Sequence, residues 1–208
     1  MKALVLLNGA EPERDLLSRH LDADIIYAAD GAAEYARRYG IMPDVIVGDF
    51  DSADPDVLAA FEAEGCRMVK LNTEKNETDA QIACDMVAKE GADEVVLLGA
   101  IGGRLDHTLG NVQVLVRLSK AGVDARIEDS KNTVYALNGK KSFKAKKGAL
   151  ISIVPLGEET RITTEGLYYP LERHKMPLDA AFGISNVFVG EKACIISEGW
   201  SVVLMCRD

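Results

Sequence analysis

Short apolar runs rich in Val, Ile and Leu recur along the first 130 residues, at 3–7, 25–29, 45–47, 68–71, 95–98 and 125–127. Their unbroken apolar character predicts strands buried on both faces. The segments between them carry helical spacing. Thr78-Asp79-Ala80-Gln81 has the form of a capping box and predicts a helix with Ile82, Ala83, Met86 and Val87 on its apolar face, stopping at Gly91. Asp54-Pro55 supplies an N-cap and a first-turn proline ahead of Val57, Leu58 and Phe61, with Gly65 as the stop. Strands that alternate with helices predict a mostly parallel sheet with helices on both faces.

The pattern changes near residues 129–132. From there the chain shows short β-rich runs at 133–137, 150–154, 161–164, 187–189, 194–197 and 201–206, punctuated by glycines from Gly139 to Gly199. That spacing predicts an antiparallel β-sandwich or barrel. The fold class expected is therefore α/β, with an α/β domain over 1–130 followed by a β-sandwich domain over 131–208. The basic run from Lys140 to Lys147 reads as a solvated hairpin.

Composition narrows the class. A hydrophobic fraction of 48% and a charged fraction of 27% are those of an ordinary globular protein. No apolar run approaches the ~20 residues that span a bilayer, so no membrane partner is expected. The first residues read as a strand rather than a signal segment. Cys66, Cys84, Cys194 and Cys206 form no CxxC pair and lie in apolar stretches, as expected of buried free thiols in a reducing, cytoplasmic compartment. A formal net charge of −9 argues against nucleic-acid binding, because neutralising a phosphate backbone needs basic surface. It leaves open a nucleotide held through divalent metal.

Open α/β sheets bind ligands beyond the carboxyl ends of their strands. The expected strand ends carry aspartate repeatedly: Asp30-Gly31, then Gly48-Asp49-Phe50-Asp51-Ser52, then Thr78-Asp79, then Gly102-Gly103-Arg104-Leu105-Asp106-His107. Asp49 and Asp51 stand two apart, which in an extended segment sends both carboxylates to one face and Phe50 towards the core. Converging carboxylates repel unless cations sit among them, and oxygen donors without a Cys or His cluster suit Mg²⁺ or Ca²⁺. Gly102 and Gly103 admit close backbone approach to an anion, Arg104 offers a planar donor fork, and a helix opening near His107 would aim its N–H groups at the same space. No P-loop signature is present, nor the glycine fingerprint of dinucleotide-binding folds.

These motifs, in this order and spacing, resemble the thiamine pyrophosphokinase family, and the likeness continues through Gly166-Leu167-Tyr168-Tyr169-Pro170-Leu171 and Gly183-Ile184-Ser185-Asn186. The resemblance implies ATP-dependent transfer of a pyrophosphoryl group to the hydroxyl of thiamine, with AMP released, in a homodimer. It implies Mg²⁺ ligands at Asp30, Asp49, Asp51, Asp79 and Asp106, with Asp49, Asp51 and Arg104 taking part in the chemistry. Thr78, Gly102 and Gly103 fall with the aspartates on the ATP side, and Ser185 and Asn186 become thiamine contacts. Trp200, the only tryptophan, stands open between thiamine stacking and packing. Two rival readings are another ATP-dependent pyrophosphokinase or kinase of a small alcohol, and a non-catalytic sensor of nucleotide or thiamine.

Overall fold

The computed structural model describes residues 1–51 and 53–207, so Ser52 lies outside the described residues. The fold is mixed α/β and divides into two compact units, Met1–Ser130 and Lys131–Asp208. In the first, strands β1 (Lys2–Leu6), β2 (Ile25–Ala29), β3 (Val45–Gly48), β4 (Arg67–Lys70), β5 (Glu94–Leu98) and β6 (Asp124–Glu128) alternate with helices α1 (Arg14–Ser18), α2 (Ala32–Tyr39), α3 (Pro55–Ala63), α4 (Asp79–Lys89) and α5 (Leu105–Lys120). The strands lie in the order β4-β3-β2-β1-β5-β6, and every neighbouring pair is parallel.

The apolar runs explain this arrangement. Leu4, Leu6, Ala28, Ile46, Val96 and Leu98 are fully buried and pack with Leu16, Leu17 and Phe61 in one cluster. Each such side chain contributes roughly 1.5–3 kcal/mol by leaving water. The expected caps are present: Asp54 accepts from Asp56 N at 2.9 Å, and Thr78 Oγ1 accepts from Gln81 N at 3.2 Å. Helix α5 opens at Leu105, two residues ahead of the expected start, which makes Arg104 its N-cap residue.

The chain order turns at β1. It runs outward through β2, β3 and β4, then returns to place β5 on the other side of β1. The strand order therefore reverses beside β1, and the carboxyl ends of the strands there are where sheets of this kind bind ligands.

The second unit is built on one long strand. Its strands are β7 (Asn132–Lys144), β8 (Leu150–Pro155), β9 (Arg161–Glu165), β10 (His174–Lys175), β11 (Asn186–Val187) and β12 (Lys192–Cys206). Strand β12 pairs antiparallel with β7 along one edge, and with β9 and then β8 along the other. The sequence reading split β12 at Gly199 and stopped the first run short of Gly139. Gly199, with φ of 97°, instead lies in the bulge at the register shift between Ser197 and Ser201, and Gly139, with φ of 114°, pairs with Ser197 at its edge. The lysines from Lys140 to Lys144 accordingly lie on β7 against β12 rather than in a hairpin.

Among the described residues no helix is long and apolar enough to cross a membrane. Cys66 and Cys84 are buried, and burial pushes the Cys66 thiol up to about 11. Cys194 and Cys206 are only partly buried, short of what their apolar neighbours in sequence suggest.

A charged network closes the β6 side of the first unit. His20 Nε2 lies 3.2 Å from Glu128 Oε2, while Arg126 bonds both Glu128 and, at 2.6 Å, Glu94. Burial alone would raise the Glu128 carboxyl, but hydrogen bonds from His20 and Arg126 outweigh it and hold the group at about 2. A carboxyl depressed in the folded state contributes stability above its ordinary value of 4.5, and that stability is lost as pH falls towards 2. The contribution is on the order of 2 kcal/mol. Glu128→Gln should therefore lower stability at neutral pH and flatten the fall between pH 4.5 and 2, read from urea midpoints across that range. Parallel curves for variant and wild type would show that Glu128 carries no such linkage.

Candidate functional site

The segments that leave β1 and β5 are joined by backbone hydrogen bonds. Leu7 N donates to Leu98 O at 2.8 Å, Gly9 N to Gly99 O at 2.8 Å and Ala10 N to Ile101 O at 2.9 Å. The approach is close enough to need glycine: a Cβ on Gly99, whose φ is +68°, would stand 2.1 Å from Leu7 O. Buried Tyr35 fixes the same carbonyl, its hydroxyl donating to Leu7 O at 3.1 Å. Buried Asn111, from α5, donates to Ala100 O at 2.8 Å. The floor of the crevice is thus a hydrogen-bonded backbone with little room to shift.

Above it opens a cleft of about 670 Å³ lined by all four aspartate-bearing loops. Asp30, Asp49 and Asp79, each partly buried, bring one carboxylate oxygen apiece within 4.8 Å of one another. Asp30 reaches the group from the end of β2 in a left-handed conformation, φ 46°, with its N–H donating to Val47 O at 2.8 Å. Asp79 is set by its place in the first turn of α4. Three carboxylates from three loops can hold a hard divalent cation by the chemistry of their donors.

Asp51 lines the same cleft but is exposed and stands outside that trio. The expected extended geometry fails at Phe50, whose φ of 65° turns the chain while its ring packs on the core. Asp51 N donates to Asp49 Oδ1 at 3.2 Å. Its carboxyl is raised above the ordinary range, first by hydrogen bonding with Asp49, then by the charges of Asp49, Asp30 and Asp79.

Asp106 also lies outside the trio. Arg104 grips it with Nε on Oδ1 at 3.2 Å and a terminal nitrogen on Oδ2 at 2.6 Å, and that hydrogen bonding lowers its carboxyl. Arg104 itself lines the cleft with Gly102, Gly103, Thr78 and His107. Gly102 has a packing reason for its identity, since a Cβ there would come 2.6 Å from Ala10 Cβ. Gly103 faces open space, and only its φ of +69° favours glycine.

One member of the cleft was passed over in the sequence. Lys75 places Nζ 2.9 Å from Asp79 Oδ1 and 3.9 Å from Asp49 Oδ2, with its side chain 15% exposed. Burial works against its ammonium, but Asp79, Asp49 and Asp30 outweigh that and raise its pKa. The available signal was its spacing four residues before Asp79.

In the second unit Ser185 is exposed in a left-handed conformation, φ 57°, its N–H donating to Ser152 Oγ at 2.9 Å. Asn186 is buried and its amide is spent on the backbone. Oδ1 accepts from Tyr169 N at 3.0 Å and Val187 N at 2.9 Å, and Nδ2 donates to Tyr169 O at 2.8 Å. These bonds make Asn186 a clip that fixes the Tyr168-Tyr169 turn. Trp200 is half-buried, and its carbonyl accepts from Leu156 N and Thr160 Oγ1.

Comparison with known proteins gives two family matches: thiamin pyrophosphokinase, catalytic domain, over residues 18–127, and thiamin pyrophosphokinase, vitamin B1 binding domain, over residues 137–201. A curated thiamine pyrophosphokinase of Bacillus subtilis (strain 168) is 30% identical over 172 residues, which is 81% of this chain and 80% of the relative. Thiamine pyrophosphokinase 1 of Arabidopsis thaliana is 27% identical over 232 residues, covering 96% and 85%. Among solved structures, thiamine pyrophosphokinase from Bacillus subtilis superimposes with a TM-score of 0.89 at 23% identity over 100% of both chains. The enzyme from Geobacillus thermodenitrificans gives 0.85 at 25% identity, over 100% of this chain and 98% of the other.

Removing the Asn186 amide strands three partly buried backbone groups. Asn186→Ala should cost about 1–3 kcal/mol, visible as a lower urea midpoint. Unchanged stability would return Asn186 to the candidates for direct ligand contact.

Proposed function

Because this chain belongs to the thiamine pyrophosphokinase family, it transfers a pyrophosphoryl group from ATP to thiamine, giving thiamine diphosphate and AMP, and we propose that the aspartate cleft is where that transfer occurs. The observation that carries this placement is the trio of Asp30, Asp49 and Asp79 within 4.8 Å in the cleft at the carboxyl ends of the parallel strands. The trio would hold Mg²⁺, which when bound supplies charge neutralisation for the phosphate oxygens.

The protein's own groups do the positioning. Gly103 and the first N–H groups of α5 face the phosphates, an arrangement that favours anions at a helix N-terminus. Arg104 donates to the transferred group, its fork held in aim by Asp106 from the side away from the cleft. Asp106 thus serves through Arg104 and leaves metal binding to the trio. Asp51 accepts the thiamine hydroxyl proton, since it lines the cleft outside the trio, is open to solvent and stands hydrogen-bonded to Asp49. Alignment and charge neutralisation carry most of such a reaction.

The layout proposed is a parallel sheet with helices on both faces followed by a β-sandwich. Helix α4 packs with α5 and α2 with α3, as two covering layers would require, and the antiparallel ladders around β12 enclose their own apolar cluster. The chain works as a homodimer in this reading. The large apolar side chains that stay exposed include Leu105 and Leu109 beside Arg104, and Tyr168, Tyr169, Phe182 and Ile184 in the loops of the second unit. Each group suits the other across a subunit boundary, with thiamine between them. The compartment proposed is the cytoplasm, on the free cysteines.

Incubated with ATP, Mg²⁺ and thiamine, the protein should release AMP in step with thiamine diphosphate, and chromatography decides it. ADP formed with thiamine monophosphate would overturn the reaction. Asp49→Ala and Asp79→Ala should each lower kcat at least ~100-fold while leaving the fold intact; full activity in either would remove the trio from the chemistry. Leu105→Lys with Leu109→Lys should halve the mass seen by sedimentation equilibrium, whereas an unchanged dimer would exclude that face.

A further inference from the structure

Lys75 is the cation that the acidic trio already owns. Its Nζ sits 2.9 Å from Asp79 Oδ1 and 3.9 Å from Asp49 Oδ2, and it also donates to Asn72 O at 3.1 Å. The side chain is only 15% exposed, so the charge is worth more than at a surface. The same carboxylate oxygens cannot serve this ammonium and a Mg²⁺ at once, because Mg²⁺ requires oxygens at about 2.0–2.1 Å in near-octahedral order. An ammonium within hydrogen-bond reach of Asp79 would be driven off by a divalent charge placed there. It needs another anion to move to, and the cleft that holds Lys75 also holds Gly103 and Arg104 on the phosphate side.

We infer that Lys75 makes metal entry conditional on nucleotide: it occupies the trio as a competing cation, and it releases Asp79 and Asp49 by transferring its ammonium to the phosphates that arrive with the metal. Lys75 is thereby a positioning residue for the trio and a substrate contact once ATP is bound. This rests on the trio being the metal site. Its consequence runs against intuition for a cleft residue, since deleting Lys75 should tighten one form of binding. Damage to the cleft would weaken all of them.

The test uses the full-length protein with Mn²⁺ as the probe, free ion being read by electron paramagnetic resonance without nucleotide. Lys75→Met should bind Mn²⁺ about tenfold or more tightly than wild type, the scale expected when one unit charge leaves a partly buried cluster. Lys75→Arg should stay near wild type. Lys75→Gln serves as a second neutral variant should the methionine variant fold poorly, and the gain in Tm on adding Mg²⁺ should be larger in either neutral variant than in wild type. In steady-state kinetics at saturating Mg²⁺, the KM for ATP should rise in Lys75→Met and recover partly in Lys75→Arg. Neutral variants that bind Mn²⁺ no more tightly than wild type would overturn the competition, and an unchanged KM would overturn the transfer to phosphate. Asp49→Asn is the control: if it binds Mn²⁺ as wild type does, the metal site itself is misplaced and the inference falls with it.

Discussion

Bringing Asp30, Asp49 and Asp79 within 4.8 Å opposes folding, since like charges at that range repel by several times thermal energy unless a cation lies among them. The rest of the first unit can be understood as what makes that approach affordable. Each aspartate is delivered by a different strand-to-helix loop, so no single loop can relax to separate the three. Lys75 offsets part of the charge from within, and burial of the parallel strands provides the surplus that keeps the loops in place.

The tolerance of such a site to displacement is small, and the structure meets it with backbone rather than side-chain contacts. The loops after β1 and β5 are hydrogen-bonded to each other at 2.8–2.9 Å, close enough that a methyl group on Gly99 would collide with Leu7 O. Tyr35 and Asn111 anchor carbonyls of the same floor. Aspartates at the rim can therefore exchange partners during a reaction while the platform beneath them holds still.

The sequence disclosed the first unit more fully than the second because its strands are buried on both faces and its helices carry strong caps. An unbroken run such as 95–98 leaves little choice of structure, and Asp54 and Thr78 cap the helices as their spacing suggests. In the second unit glycine misled. Gly139 and Gly199 look like breaks between strands, yet a glycine opposite a bulge lets one strand bend and continue, and only the pairing partner distinguishes the two cases. The site was legible as a set of loops but not as a geometry. Alternation along a strand placed Asp49 and Asp51 together, whereas the left-handed turn at Phe50 gives them different depths, Asp49 partly buried and Asp51 exposed.

Asn186 carries the same distinction further. A residue can hold its place in a motif through what it does for its neighbours' backbone. The buried amide here satisfies both backbone polar groups of Tyr169 and the N–H of Val187, which leaves it no hydrogen-bonding capacity beyond its second N–H. What it does supply is a fixed pair of tyrosines, their rings edge-to-face at 4.9 Å and largely exposed. Exposed aromatic surface of that kind is costly in water and specific in shape, so a rigid clip beneath it makes sense only if the rings meet something. The side chains that Asn186 holds outward are these two rings. A polar motif residue and an exposed aromatic pair, which look unrelated in the sequence, are one device in the fold.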